Sequence, residues 1–307
     1  MKTVMLIVAV IVGLALIAGG AVLIAINRNG PAVLDAVDRI SGGKTTVELL
    51  HQQSLGDDKR QKLLVYGDPS ASKALPVLIF IHGGSWRNGD PDDYGFVARN
   101  IAPRGFVVVL GGYRLRDNGR YPAMLQDTAA VTAWVHENIA TYGGDPDRIL
   151  LSGHSAGAYN VAQVALEERW LTEAGVPRAA IRGVVGLAGP YDFYPYDSDS
   201  TRAAFGSVGV GAESQPVNHV RSDAPPMLLV HGEHDTLVKP RNTRALAAAL
   251  EQGGADVQTL FMPAMTHNDP LLALANPWRR DPEVIDTVIS FLDRNAALSV
   301  PVQAETP

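Results

Sequence analysis

The chain has 307 residues, enough for one large core or two small ones, and its 46% hydrophobic and 19% charged residues describe a globular protein rather than a disordered one. A formal net charge of −6 argues against nucleic acid as a partner. The absence of cysteine removes disulfides, thiol nucleophiles and thiolate metal sites.

The N-terminus differs from the rest. From Val4 to Ile26 no side chain is charged or polar, a length that crosses a bilayer as a helix, with Lys2 before it and Arg28 after it. Residues 1–30 are therefore expected to form a single-pass membrane anchor. A cleaved signal peptide is the rival, with small residues at Ala18-Gly19-Gly20, but its apolar region would be shorter. The short cationic tail keeps its own end cytoplasmic and places the following domain outside the cytoplasm, although Arg28, Arg39 and Lys44 on the far side weaken that orientation.

Residues 31–44 read as a linker, with Asn29-Gly30-Pro31 as a breaker and a short helix conceivable over Ala32 to Ile40. Thr45–Leu50 and Lys62–Tyr66 suggest an opening hairpin. Leu75–Ile81 is a nearly continuous apolar run, the pattern of a strand buried on both faces. Asp93–Ala102 reads as a helix, Phe106–Leu110 as a strand, and Pro122–Tyr142 as a long helix. Arg148–Leu151 is a strand, and Ala158–Trp170 a helix. Ile181–Leu187, Met227–Val230 and Val257–Phe261 are further strands. Arg241–Glu251 and Asp281–Leu298 are helices, the last with Pro282 in its first turn. Strands alternating with helices predict an α/β fold with a mostly parallel sheet flanked by helices. Tyr191–Pro225 lacks periodicity, and a loop of that length commonly walls a pocket.

Between a strand and a helix stands Gly153-His154-Ser155-Ala156-Gly157, which fits G-x-S-x-G, the sharp turn that exposes a nucleophilic serine at a helix N-terminus. A serine needs a base, and the base needs an acid to orient it. Most of the 8 histidines have ordinary explanations. His51 and His136 look like surface residues, and His219 falls in the irregular loop. His82 and His231 end strands, where histidine commonly serves a local hydrogen bond. His154 lies inside the turn, and His234 just after a strand. His267 follows the last strand, and Asp235 follows the strand before it. The order Ser155, Asp235, His267 brings all three to the carboxyl edge of a parallel sheet. His82-Gly83-Gly84, after a buried strand, supplies backbone N–H donors for an oxyanion, and Ala156 the other donor.

These motifs carry a resemblance. Ile81-His82-Gly83-Gly84-Ser85-Trp86 with Gly89-Asp90 resembles the H-G-G-x-W-x-x-G-D signature of bacterial carboxylesterases of the α/β-hydrolase superfamily, and more closely the group that includes feruloyl and acetylxylan esterases and kynurenine formamidases. Tyr113-Arg114-Leu115, Tyr121-Pro122, Gln126-Asp127, Gly143-Gly144-Asp145-Pro146 and Gly189-Pro190-Tyr191-Asp192 resemble the same group. Ser85 stands where a third glycine or a small residue is common. The resemblance spans roughly Thr46 to Leu298 and implies Ser155 as nucleophile, Asp235 as acid, His267 as base, and Gly83, Gly84 and Ala156 as oxyanion donors.

The expected molecule is an α/β-hydrolase catalytic domain over 45–298, tethered by an N-terminal transmembrane helix and followed by a disordered tail at 299–307. It cleaves small carboxylic esters, short acyl groups above all, with no metal and no cofactor. A formamidase using the same three residues, a lipase, and a binding protein that kept the fold are the rivals.

Overall fold

The computed structural model describes residues 20, 24–26, 28–42, 45–206, 209, 211–277 and 282–297. Most of the expected membrane span lies outside these, as does the tail at 299–307. Among the described residues no helix is long and apolar enough to cross a membrane.

Eight strands form one sheet in the order β1-β2-β4-β3-β5-β6-β7-β8. They are β1 Glu48–Ser54, β2 Lys62–Gly67, β3 Leu75–Ile81, β4 Val107–Gly111, β5 Gly144–His154, β6 Ile181–Leu187, β7 Met227–Gly232 and β8 Val257–Met262. β1, β2 and β4 pair antiparallel, and every pairing from β4 to β8 is parallel. Strands buried on both faces need apolar residues at successive positions, which is what Leu75–Ile81 and Val107–Leu110 provide.

Alternate residues of these strands serve two separate cores. Val77, Ile79 and Ile81 face one layer with α3 (Ala123–Asn138), α4 (Ala156–Leu166), α5 (Arg169–Glu173) and α7 (Arg241–Gln252). Leu78 and Phe80 face the other, with α1 (28–41), α2 (Gly95–Ile101), α8 (Asp269–Leu272) and α9 (Pro282–Ala297). The period of two along each strand and the helices on both sides are the α/β sandwich expected from the sequence.

Three differences from the sequence reading have physical causes. The expected helix over 158–170 is two helices, because the chain turns extended at Glu167 before α5. The aperiodic stretch 191–225 contains α6 (Asp199–Phe205), started by a capping box at Ser198 and Thr201, and two short 3-10 turns. The stretch read as linker, with a short helix conceivable over Ala32 to Ile40, is mostly the longer helix α1, in which Asn29 Oδ1 accepts the N–H of Ala32. This helix is docked. Leu34 is buried, and Asp35 and Asp38 accept from the Arg99 guanidinium at 2.7 and 2.9 Å. Asp38 also accepts from Asn100 Nδ2 and from the N–H of Asn276.

Candidate active site

β5 ends at His154, and α4 begins one residue after Ser155. Ser155 therefore takes the turn itself, with φ 54° and ψ −119°, a left-handed backbone rare for a residue with a side chain. The Ser155 N–H donates to the Leu187 carbonyl of β6, which fixes the turn against the sheet. A Cβ at Gly157 would lie 2.1 Å from the Ile81 carbonyl oxygen, so only glycine lets α4 pack this close to β3.

The loops after β7 and β8 reach this turn. His267 Nε2 lies 2.9 Å from Ser155 Oγ, and His267 Nδ1 lies 2.7 Å from Asp235 Oδ2. A carboxylate only accepts, so His267 Nδ1–H donates to Asp235, and Nε2 is left to accept the serine proton. Asp235 Oδ1 accepts the N–H groups of Leu237 and Val238, both at 2.9 Å. Burial pushes the Asp235 pKa up, but the donors from His231, His267 and Val238 outweigh it and hold the carboxyl well below the usual range.

Gly83 and Gly84 follow β3, next to the serine. A Cβ on Gly83 would meet the His154 carbonyl at 2.9 Å and the Ser155 Cβ at 3.3 Å. Among the described residues no backbone carbonyl takes the N–H of Gly83 or Gly84. Ala156 is the first residue of α4, where the helix leaves its N–H groups unpaired. Ser85 and Trp86 also have positive φ, 55° and 57°, so the position where a third glycine is common keeps the left-handed backbone with a serine.

Two histidines passed over in the sequence bear on this arrangement. His231, at the end of β7, is fully buried; its Nε2 lies 2.8 Å from the Val238 carbonyl and 3.2 Å from Asp235 Oδ2. The carbonyl requires Nε2 to be the donor, and Thr243 Oγ1 then donates to Nδ1 at 2.7 Å. Asp235 is thus held by two imidazoles. His154 Nε2–H donates to the His267 carbonyl at 3.0 Å, tying the loop of the base to the elbow. The sequence signal for both was their place beside Ser155 and Asp235. Of the remaining candidates, His234 is exposed, and His219 sits on the Glu213 carbonyl away from the serine.

His154 and His82 are both fully enclosed. Burial lowers the His154 pKa to about 3, with the neighbouring His267 as the next cause, and burial lowers that of His82, packed between the Tyr94 and Tyr113 rings, to about 4. Unfolded histidines take a proton near pH 6.5, whereas these two in the fold do not. Stability is therefore full above about pH 6.5 and falls as pH drops below it, at about 1.4 kcal/mol per pH unit for each. Urea midpoints at pH 7, 6 and 5 are expected to decline steeply; a flat midpoint over that range would contradict their burial in neutral form.

A small chamber of about 120 Å³ opens on Ser155, walled by Trp86, Phe193, Pro190 and Val238. Trp86 is locked by its indole N–H on Asn160 Oδ1 and by edge contacts with Tyr159 and Phe205. Among the described residues there is no cluster of three or more side chains fit to hold a metal ion.

The strand order and the elbow at the end of β5 define the α/β-hydrolase fold. Residues 63–250 match the family described as BD-FAE, and the chain belongs to it. Among curated proteins it is 32% identical over 243 residues to "Esterase LipQ" of Mycobacterium tuberculosis, covering 73% of this chain and 56% of that protein. It is 28% identical over 260 residues to "Isoprenylcysteine alpha-carbonyl methylesterase ICME" of Arabidopsis thaliana, covering 77% and 60%. The chain thus spans little more than half the length of these relatives. Among solved structures, a "Truncated form of carbohydrate esterase from gut microbiota" superposes with a TM-score of 0.71 at 19% identity, covering 83% of this chain and 97% of that one; at that identity the likeness concerns the fold.

Proposed function

We propose that the protein hydrolyses carboxylic esters of short acyl groups through an acyl-enzyme on Ser155. The observation that carries this reading is the unbroken line of hydrogen bonds from Ser155 Oγ through His267 to Asp235, at the mouth of a small chamber. Family membership and relatives named as esterases support it. Ser155 Oγ attacks the acyl carbon while His267 Nε2 takes its proton. Negative charge gathers on the former carbonyl oxygen, where N–H groups of Gly83, Gly84 and Ala156 are the donors. His267 then protonates the departing alcohol. Water enters, gives a proton to His267 and cleaves the acyl-serine, and Ser155 recovers its hydrogen.

Chamber size sets the acyl preference. A cavity of roughly 150 Å³ accepts one benzene ring, so 120 Å³ suits an acyl group of a few carbons. Across p-nitrophenyl acetate, butyrate, octanoate and palmitate, kcat/KM is expected to peak at the short end. A rise toward palmitate would overturn the short-chain reading, and no turnover of any would overturn the ester reading. Aryl formamides assayed alongside read the amide alternative, which uses the same three residues.

We also propose that the uncharged span Val4–Ile26 anchors the protein in a membrane with the domain outside the cytoplasm, a reading supported by its length and by Lys2 and Arg28 at its ends. After a carbonate wash the full-length protein is expected in the membrane pellet. Recovery in the soluble fraction with an N-terminus near Ala21 would mean a cleaved signal.

A further inference from the structure

Beside the chamber at Ser155 lies an open cleft of about 890 Å³ that shares Ser85, Trp86, Ser198 and Ser200 with it. Its charged lining is uneven. Two carboxylates line it, and each has an arginine of its own: Asp117 pairs with Arg120, and Asp199 with Arg202. Two guanidiniums line it as well, Arg87 and Arg116, and among the described residues neither has a carboxylate within ion-pair distance. In a chain of net charge −6, the free charges of this cleft are cationic. The chamber's own charged lining is balanced, with Lys239 offset by Asp197 and Arg241 reaching Asp192 at 4.0 Å, so the unpaired positive charge belongs to the cleft.

Arg116 is also held in place. Its Nε–H donates to the Arg87 carbonyl at 3.0 Å and its Nη2 to Asn88 Oδ1 at 3.2 Å, so both partners are neutral and the positive charge is uncompensated. Its backbone N–H donates to the Trp86 carbonyl, and its φ is 58°. Two residues earlier, Arg114 grips the buried Asp127 with Nε and Nη2 and fixes the start of this loop. A left-handed arginine braced on the loop after the oxyanion glycines is a costly arrangement for an ordinary surface residue.

We propose that this cleft binds an anionic group, a carboxylate or a phosphate, on the alcohol part of the ester, with Arg87 and Arg116 as its counter-charges. The proposal rests on the ester reading above: the small chamber takes the acyl group, and the wide cleft is left for the alcohol. Guanidinium forks match both oxyanions, and their charge is worth most where it has no internal partner.

The test compares 4-acetoxybenzoate and 4-acetoxyphenyl phosphate with neutral 4-acetoxybenzamide, on the full chain at low ionic strength. Each is assayed with the wild type, Arg87→Gln and Arg116→Gln, and the readout is the ratio of kcat/KM for anion over amide within each protein. That ratio cancels the intrinsic reactivity of the esters when proteins are compared. The wild-type ratio is expected to exceed that of Arg87→Gln by about tenfold, mostly through KM, and to shrink as salt is added. The arm with the larger drop identifies carboxylate or phosphate as the preferred anion. Arg87 makes no side-chain hydrogen bond among the described residues, so its replacement should leave the fold unchanged, checked by Tm. Equal ratios in wild type and both variants would overturn the proposal. If none of the three esters turns over, the ester reading has failed. Calorimetric titration with 4-hydroxybenzoate against 4-hydroxybenzamide then reads the cleft by itself. Tighter carboxylate binding that Arg87→Gln removes supports the anion site, and equal binding overturns it.

Discussion

Ser155→Ala is expected to lower kcat on p-nitrophenyl acetate by about 10⁴- to 10⁶-fold, the range seen when a serine nucleophile is removed from such a unit. The fold should survive. Alanine keeps the Cβ that already sits at φ 54°, the backbone bond to Leu187 is unaffected, and the hydroxyl lost has His267 as its one side-chain hydrogen-bond partner among the described residues. Turnover by stopped assay and Tm on the same preparation check both halves. Activity within tenfold of wild type, with an unchanged Tm, would move the nucleophile elsewhere.

His267→Ala should lose nearly as much, and Ser155→Ala/His267→Ala no more than either alone, because the two act as one device. Asp235→Asn is expected to cost about 10⁴-fold by a different route. The asparagine oxygen can keep the N–H groups of Leu237 and Val238. Its amide NH₂ then faces His267 Nδ1, which must become an acceptor. The ring proton moves to Nε2, where it meets Ser155 Oγ and blocks proton uptake. His231 keeps the Val238 carbonyl throughout, so the pocket stays closed. His234→Ala, at an exposed side chain, should leave kcat near its starting value. A loss at His234 equal to that at His267 would reassign the base.

What the sequence made legible follows from how local each signal was. β3 and β6 match the expected residues end for end, β3 because a strand buried on both faces writes itself as a nearly continuous apolar run. Ser155, Asp235 and His267 could be named because each sits at a strand end, and chain order alone then places them on one edge. What escaped was carried by pairings that only the folded chain makes. His231 looked like any strand-end histidine until β7 set it against Asp235, four residues on and folded back by the turn. α1 was read as a linker with at most a short helix over Ala32 to Ile40, because Asn29-Gly30-Pro31 resembles a breaker. Its stability comes from Arg99, Asn100 and Asn276, none of them local. The free cations of the cleft were equally invisible, since which arginines are paired is decided only in three dimensions.

The docking of α1 also bears on how the chain is made. Asp38 reaches the backbone N–H of Asn276 across 238 positions, and the Asn276 side chain bonds Asn100 in turn. At about 5–20 residues per second, the ribosome delivers that partner on the order of tens of seconds after α1 has emerged. Until then the carboxylates of Asp35 and Asp38 have only Arg39, Arg99 and Asn100 to hold them. α1 is thus synthesised early in the domain yet sealed only after residue 276 has emerged, and a nascent chain stalled before that point keeps the seam open to proteases and chaperones.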